Sequence, residues 1–138
     1  MPFPTTNYPG AGDLMAASGL CQAVRVGNVV HLSGQGGWDA GLKVDADPKA
    51  QIEQALKNVE AALRGAGASG LKDVFKFTVF VTGEFDTFAT PLIERLNEIY
   101  AAAIPAMSVI GVNNLWLGMG IEIEAQAWVG NEAAKANL

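Results

Sequence analysis

The sequence predicts an α+β fold, one sheet with two helices packed on a single face. Three observations lead there. Two stretches place apolar residues at helical spacing: Ile52, Leu56, Val59 and Leu63 in one, Leu92, Leu96, Ile99 and Tyr100 in the other. Shorter stretches, Val24–Val26, Val29–Ser33, Lys72–Thr82, Ile104–Val112 and Ile121–Val129, have strand composition. Their order, hairpin, helix, strand, helix, two strands, suits helices gathered on one side of a sheet.

Taken in order, residues 1–19 hold prolines, glycines and small residues without a sustained period, and read as an extended N-terminal arm or loop. Gly27-Asn28 tolerates positive φ and joins two short strands as a hairpin. In its second strand Val29, His31 and Ser33 share one face. Ser33-Gly34-Gln35-Gly36-Gly37-Trp38 then leaves the sheet sharply, the glycines permitting close backbone approach. Asp47 and Pro48 read as an N-cap and first helical residue, and Gly65 or Gly67 as the stop. In Lys72–Thr82, Val74, Lys76, Thr78 and Phe80 fall on one side and Phe75, Phe77, Val79 and Val81 on the other, so neither face is freely solvated. The second helix is expected over about residues 86–103. The last two strands are expected to be neighbours, with Met107 and Val109 on one face, Ser108 and Ile110 on the other, and Glu122, Glu124 and Gln126 opposite an aliphatic set. His31, Ser33, Met107, Glu122 and Glu124 are expected on the face the helices leave open. That mixed face suggests self-association.

The composition narrows the function classes. The 138 residues suit one domain, residues 1–138, with a single core. Half the chain is hydrophobic, only 17% is charged and the mean hydropathy is +0.22, so apolar surface is expected to be covered by other subunits. The formal charge is −5 and the nine basic residues are scattered, which argues against nucleic acid or anionic lipid as partners. One cysteine excludes an intrachain disulfide framework. With neither a secretory signal nor an apolar run of membrane-spanning length, the expected location is the cytoplasm.

Among residues that carry chemistry, Glu122 and Glu124 are paired acids on one strand face. Glu122 is a candidate acid/base, its proton affinity raised by a like charge and partial burial; Glu124 reads as structural. Ser33 has no adjacent histidine, so it suits positioning a water better than nucleophilic attack. His31, the only histidine, and Cys21 lack companions at metal-ligand spacing, and no metal or other cofactor is expected. Cys21 reads as a small buried filler. Trp38 and Trp116 suit either lids over a cleft or subunit contacts. The loop Gly34–Gly37 lacks the lysine and serine of a phosphate-binding loop.

Together these strings resemble the Rid family of reactive intermediate deaminases, also called YjgF-like. Residues 22–28 resemble its opening hairpin, Ser33-Gly34-Gln35 its Ser-Gly-Gln signature, residues 58–67 its first-helix pattern and residues 79–82 its central strand. Pro105-Ala106-Met107-Ser108 stands for its Pro-Ala-Arg-Ser, and Ile121-Glu122-Ile123-Glu124-Ala125 for its final strand. The resemblance implies a chorismate-mutase-like α+β fold and a homotrimer with a central barrel and a ligand cleft between each pair of subunits. It implies Glu122 and Ser33 as catalytic residues, with Gly34, Gln35, Leu20, Met107, Ser108 and Val109 around a small-molecule substrate. In deaminases of the family the arginine binds the carboxylate of a 2-imino acid through paired donors. Met107 replaces it here, Leu20 stands for a common tyrosine and Val109 for a common cysteine. These changes imply weak or lost 2-imino-acid deamination and a larger, less charged or more apolar ligand, with Arg95, Asn113 and Asn114 as possible substitute anchors. The leading reading is therefore an altered imine or enamine enzyme. Its rivals are a non-catalytic small-molecule binder of the same family and a chaperone-like, partner-binding trimer.

Overall fold

The computed structural model describes residues 3–130. Seven strands form one sheet: β1 (Thr5–Thr6), β2 (Ala23–Val26), β3 (Val29–Leu32), β4 (Gln35–Gly36), β5 (Val74–Val81), β6 (Ala106–Gly111) and β7 (Ile121–Trp128). Three α-helices accompany them, α1 (Ala11–Ala16), α2 (Pro48–Gly65) and α3 (Phe85–Ile99). The strand order is β1-β2-β3-β7-β5-β6, with β4 also paired to β7.

The strong local signals hold. Asp47 caps α2 by accepting from the Ala50 amide at 2.8 Å, with Pro48 in the first turn. The stripe Ile52, Leu56, Val59 and Leu63 is buried. It meets Val30 and Leu32 of β3, Phe77, Val79 and Val81 of β5, and Ile121 and Ile123 of β7 in one core, with Leu92 and Leu96 of α3. Each such side chain contributes about 1.5–3 kcal/mol by leaving water. α3 ends at Ile99, short of the expected Ala103, because Tyr100 turns extended, sets its ring edge-on to Phe77 and donates its hydroxyl to the Leu71 carbonyl.

Four expectations are corrected. The N-terminal segment is not an extended arm: Thr5–Thr6 pairs with β2, Tyr8 is buried, and α1 buries Ala11 and Met15. β6 and β7 are not neighbours. β5 lies between them, parallel to β6 and antiparallel to β7, because α3 supplies the crossover that parallel strands require. A register shift between Val74 and Lys76 turns Val74 into the core and leaves Phe75 43% exposed, exchanging the expected faces of those two residues. Finally, Met107 and Val109 lie beside Phe77 and Val79 and pack against the core. They are on the helix side, not on the open face with Glu122 and Glu124.

Candidate active site

The site begins at a defect in the sheet. β3 and β4 pair with the same edge of β7, His31 opposite Gln126 and Gln35 opposite Ile123. That leaves one residue more on the β3–β4 side than on β7, a bulge at Ser33-Gly34. Bulges re-aim side chains and end local pairing. The Glu122 side chain fills the space so opened. A Cβ on Gly34 would stand 1.9 Å from Glu122 Oε1, so only glycine admits the carboxylate at that depth. Ser33 Oγ donates to the Cys21 carbonyl at 2.8 Å.

Buried amides hold this loop in place. Gln35 is fully buried; its Nε2 donates to Gln22 Oε1 at 2.9 Å and to the Ser33 carbonyl at 3.0 Å. Its Oε1 accepts from the Tyr8 hydroxyl at 2.9 Å, which in turn accepts from Trp38 Nε1 at 2.9 Å. Burial pushes the Tyr8 hydroxyl above its usual range, with a smaller opposing effect of the Trp38 bond, so Tyr8 remains a proton donor. Asn58 of α2 donates to the carbonyls of Gly36 and Trp38, both at 2.8 Å. Gln51 accepts from the amides of Gly120 and Ile121 and thereby fixes the start of β7. Satisfied buried networks of this kind rigidify what they surround.

Above the loop lies a pocket of about 330 Å³. Gln22, Ser33, Gly34 and Glu122 form its polar side, and Leu20, Cys21, Met15, Trp38 and Trp116 the apolar remainder. Trp38 is buried beneath it, and the exposed Trp116 ring stands edge-on to Trp38 with centroids 6.0 Å apart. Burial raises the proton affinity of Glu122, and the neighbouring Glu124 raises it further. Among the described residues no donor is hydrogen-bonded to the Glu122 carboxylate. A half-buried carboxyl of raised proton affinity, free of a fixed partner and facing a pocket, is suited to moving protons.

The Endoribonuclease L-PSP family profile matches residues 11–129. The chain belongs to the Rid family. A RutC family protein from Pyrococcus horikoshii is 37% identical over 113 residues, 78% of this chain and 84% of that protein. The 2-iminobutanoate/2-iminopropanoate deaminase of Escherichia coli K12 is 38% identical over 109 residues, 77% of this chain and 84% of the enzyme. The crystal structure of RidA from an Antarctic Psychrobacter superposes with a TM-score of 0.75 at 32% identity, covering 93% of this chain and 98% of that one.

Within this Rid-family chain the residues singled out from sequence separate into two groups. Ser33, Gly34, Leu20 and Glu122 line one pocket. Met107 and Val109 do not line it; they sit on the edge strand β6, and Ser108 is exposed on the opposite face of that strand. The expected ligand contact by the Gln35 side chain is corrected, since both ends of its amide are taken up beneath the loop. Arg95 is no substitute anchor: it pairs with Glu53 and Glu98 in the groove between α2 and α3. Asn113 and Asn114 are exposed and do not line the pocket. Cys21 is half-buried at the pocket wall, not a core filler. His31 and Glu124 share a separate polar depression with Lys76, Thr78 and Gln126 on the open face of the sheet. No cluster of three metal-ligating side chains occurs among the described residues, and no helix there is long and apolar enough to cross a membrane.

Sequence reasoning missed Tyr8, Gln22, Gln51 and Asn58 as supports of the site. A single amide has no period, and its partners lie up to 70 residues away. The usable signal was the placement of Gln51 and Asn58 on the apolar stripe of α2, where a polar residue needs a buried partner.

Proposed function

We propose that this protein hydrolyses the C=N bond of an imine, or of its enamine tautomer, in a cleft built around Glu122 and Ser33. The observation that carries the reading is the Glu122 carboxyl, set over Gly34 with raised proton affinity and no bonded donor. Water adds to the imine carbon while Glu122 takes a proton from it and delivers one to nitrogen. The carbinolamine then collapses to a carbonyl compound and ammonia. The Ser33 hydrogen is directed to the Cys21 carbonyl, so its oxygen is available as an acceptor that orients the water or an imine N–H. It is a positioning group, because no base takes its proton. The scheme requires neither metal nor organic cofactor. The relatives named 2-iminobutanoate/2-iminopropanoate deaminases support this reaction class.

The cleft is completed by a second copy of the chain in a homotrimer. Support comes from Met107, Ser108 and Val109, which lie on the sheet edge away from the Ser33–Glu122 pocket and can face a ligand there only from another copy. With methionine at position 107, a substrate carboxylate lacks the paired donors an arginine offers, and burying it unpaired costs several kcal/mol. Turnover of small 2-imino acids is accordingly weak, and apolar imines are favoured.

Replacing Glu122→Gln tests the reading. We expect ammonia release from a turned-over imine to fall by about 100-fold or more, in the range of lost general acid–base catalysis. Unchanged turnover refutes it. Loss of affinity alone, with no turnover by either form, identifies the rival, a binding protein with the same pocket. Light scattering should give a mass three times that of the 14.4 kDa chain.

A further inference from the structure

The pocket has an unusual balance of charge. Among the described residues Glu122 is its sole acidic side chain, and no lysine, arginine or histidine lines it. The charged side chain that acts on Glu122 is another acid, Glu124. Arg95 is engaged by Glu53 and Glu98 between the helices, and Lys76 and His31 line the separate depression on the sheet. On this chain's wall an anionic ligand therefore meets a carboxylate and no cationic side chain, whereas a cation meets an opposite charge.

Apart from the uncharged polar Gln22 and Ser33, the rest of the wall is mainly aromatic and aliphatic. The two indoles stand at 67° to each other, with Trp116 54% exposed and Leu20 58% exposed at the rim. Indole faces attract cations and stack on planar rings. Trp116 enters a tight turn: Leu117, the next residue, is at φ 58° and ψ 18°, a left-handed conformation uncommon for leucine.

Resting on the imine-hydrolysing reading above, we infer that the substrate is a protonated aryl-alkyl imine without a carboxylate, its ring against Trp116 and its iminium nitrogen toward Glu122. The reaction is R–CH=NH2+ plus water giving R–CHO plus NH4+, with no change of oxidation state. The substrate is then supplied by two-electron dehydrogenation of a primary aryl-alkylamine, and the aldehyde passes to an oxidising or reducing step. This is the reverse of the charge preference of a site built for 2-imino acids.

The test pairs binding with turnover. Calorimetry compares 2-phenylethylammonium with 3-phenylpropanoate, stable ligands of opposite charge, on the natural protein, Trp116→Ala, Trp116→Phe and Glu122→Gln. We expect the ammonium to bind at least tenfold more tightly than the carboxylate. Trp116→Ala should weaken it about tenfold, Trp116→Phe should largely restore it, and Glu122→Gln should abolish the charge preference. Ammonia release is followed in parallel from 2-phenylethylamine with an amine oxidase, and from phenylalanine and alanine with an amino-acid oxidase. Faster hydrolysis of the carboxylate-free imine is the expected result. Charge-selective binding without hydrolysis upholds the ligand class and removes imine hydrolysis as the function. Equal or tighter binding of the carboxylate, binding of neither ligand, indifference to Trp116→Ala, or preferred turnover of the imino acids overturns the inference; in the last case imine hydrolysis itself stands.

Discussion

Gly34→Ala separates the chemistry of the site from the stability of the fold. The added Cβ would lie 1.9 Å from Glu122 Oε1, and ordinary contact begins near 3.4 Å, so the carboxylate must retreat by about 1.5 Å. The obstructing atoms belong to the Glu122 side chain itself, with Cδ at 2.6 Å and Cγ at 2.8 Å, and no backbone atom is among the nearest contacts. Rotation about χ angles relieves the clash at a cost of about 1 kcal/mol for an off-rotamer side chain. Catalysis is less forgiving, since a 1 Å misplacement can cost about 100-fold, or about 2.7 kcal/mol of barrier. We therefore expect kcat/KM for the cognate imine to fall about 100-fold while urea denaturation shows a stability change within about 1 kcal/mol. Steady-state ammonia release and chemical denaturation on the same preparation measure both. Retained activity would show that Glu122 does not work from its position over Gly34. A loss of stability well beyond that range would show that the bulge, not the carboxylate, depends on the glycine.

Because the Glu122 pKa is raised above its ordinary value of 4.5, the folded state binds the proton more tightly than the unfolded chain. Stability attributable to this group is therefore fully present below pH 4.5 and lost as pH rises through the folded pKa. Thermal melts should show Glu122→Gln stabilising relative to the natural protein at pH 8, with the difference shrinking toward pH 4. Gln51→Ala strands the buried amides of Gly120 and Ile121, and denaturant titration should show a loss of about 2–4 kcal/mol. Asp47→Ala removes the side-chain cap of α2 and should cost about 1 kcal/mol by the same measurement. Finally, the natural protein mixed with an inactive Glu122→Gln/Met107→Arg variant and reassembled should hydrolyse 2-iminopropanoate. Silence of the mixture, beside an active Met107→Arg variant, would place position 107 and Glu122 in one chain's cleft.

How much of this was legible in the sequence depended on the range of the signal. α2 was readable because its cap, proline and stripe lie within one stretch, Asp47 to Leu63. α1 was not, because Ala11–Ala16 completes fewer than two turns and repeats no apolar spacing. The order of the last strands was misjudged for a related reason. Proximity of β6 and β7 along the chain suggested a hairpin, while the partner that separates them, β5, enters some thirty residues before β6. Alternation in β7 correctly divided Glu122 and Glu124 from Ile121, Ile123 and Ala125. The family resemblance brought Ser33 and Gly34 together with Glu122, and the bulge gives the physical reason they meet.

The same register arithmetic changes what the apolar substitutions mean. Leu20 lies at the rim of the Glu122 pocket, whereas Met107 and Val109 lie on the far edge strand, turned toward the helices beside Phe77 and Val79. In an isolated chain these changes do not share a surface, and loss of polarity at 107 and 109 would affect edge packing alone. They act on one ligand only if the β6 edge of one copy closes the pocket of another. Under that arrangement the absence of cations from the Glu122 wall and the absence of an arginine from the opposing wall are one property of one cleft. Oligomeric state and substrate charge are thereby linked: in a trimer with this cleft, Met107 offers a substrate carboxylate none of an arginine's paired donors, while Glu122 and Trp116 offer an iminium a carboxylate and an indole.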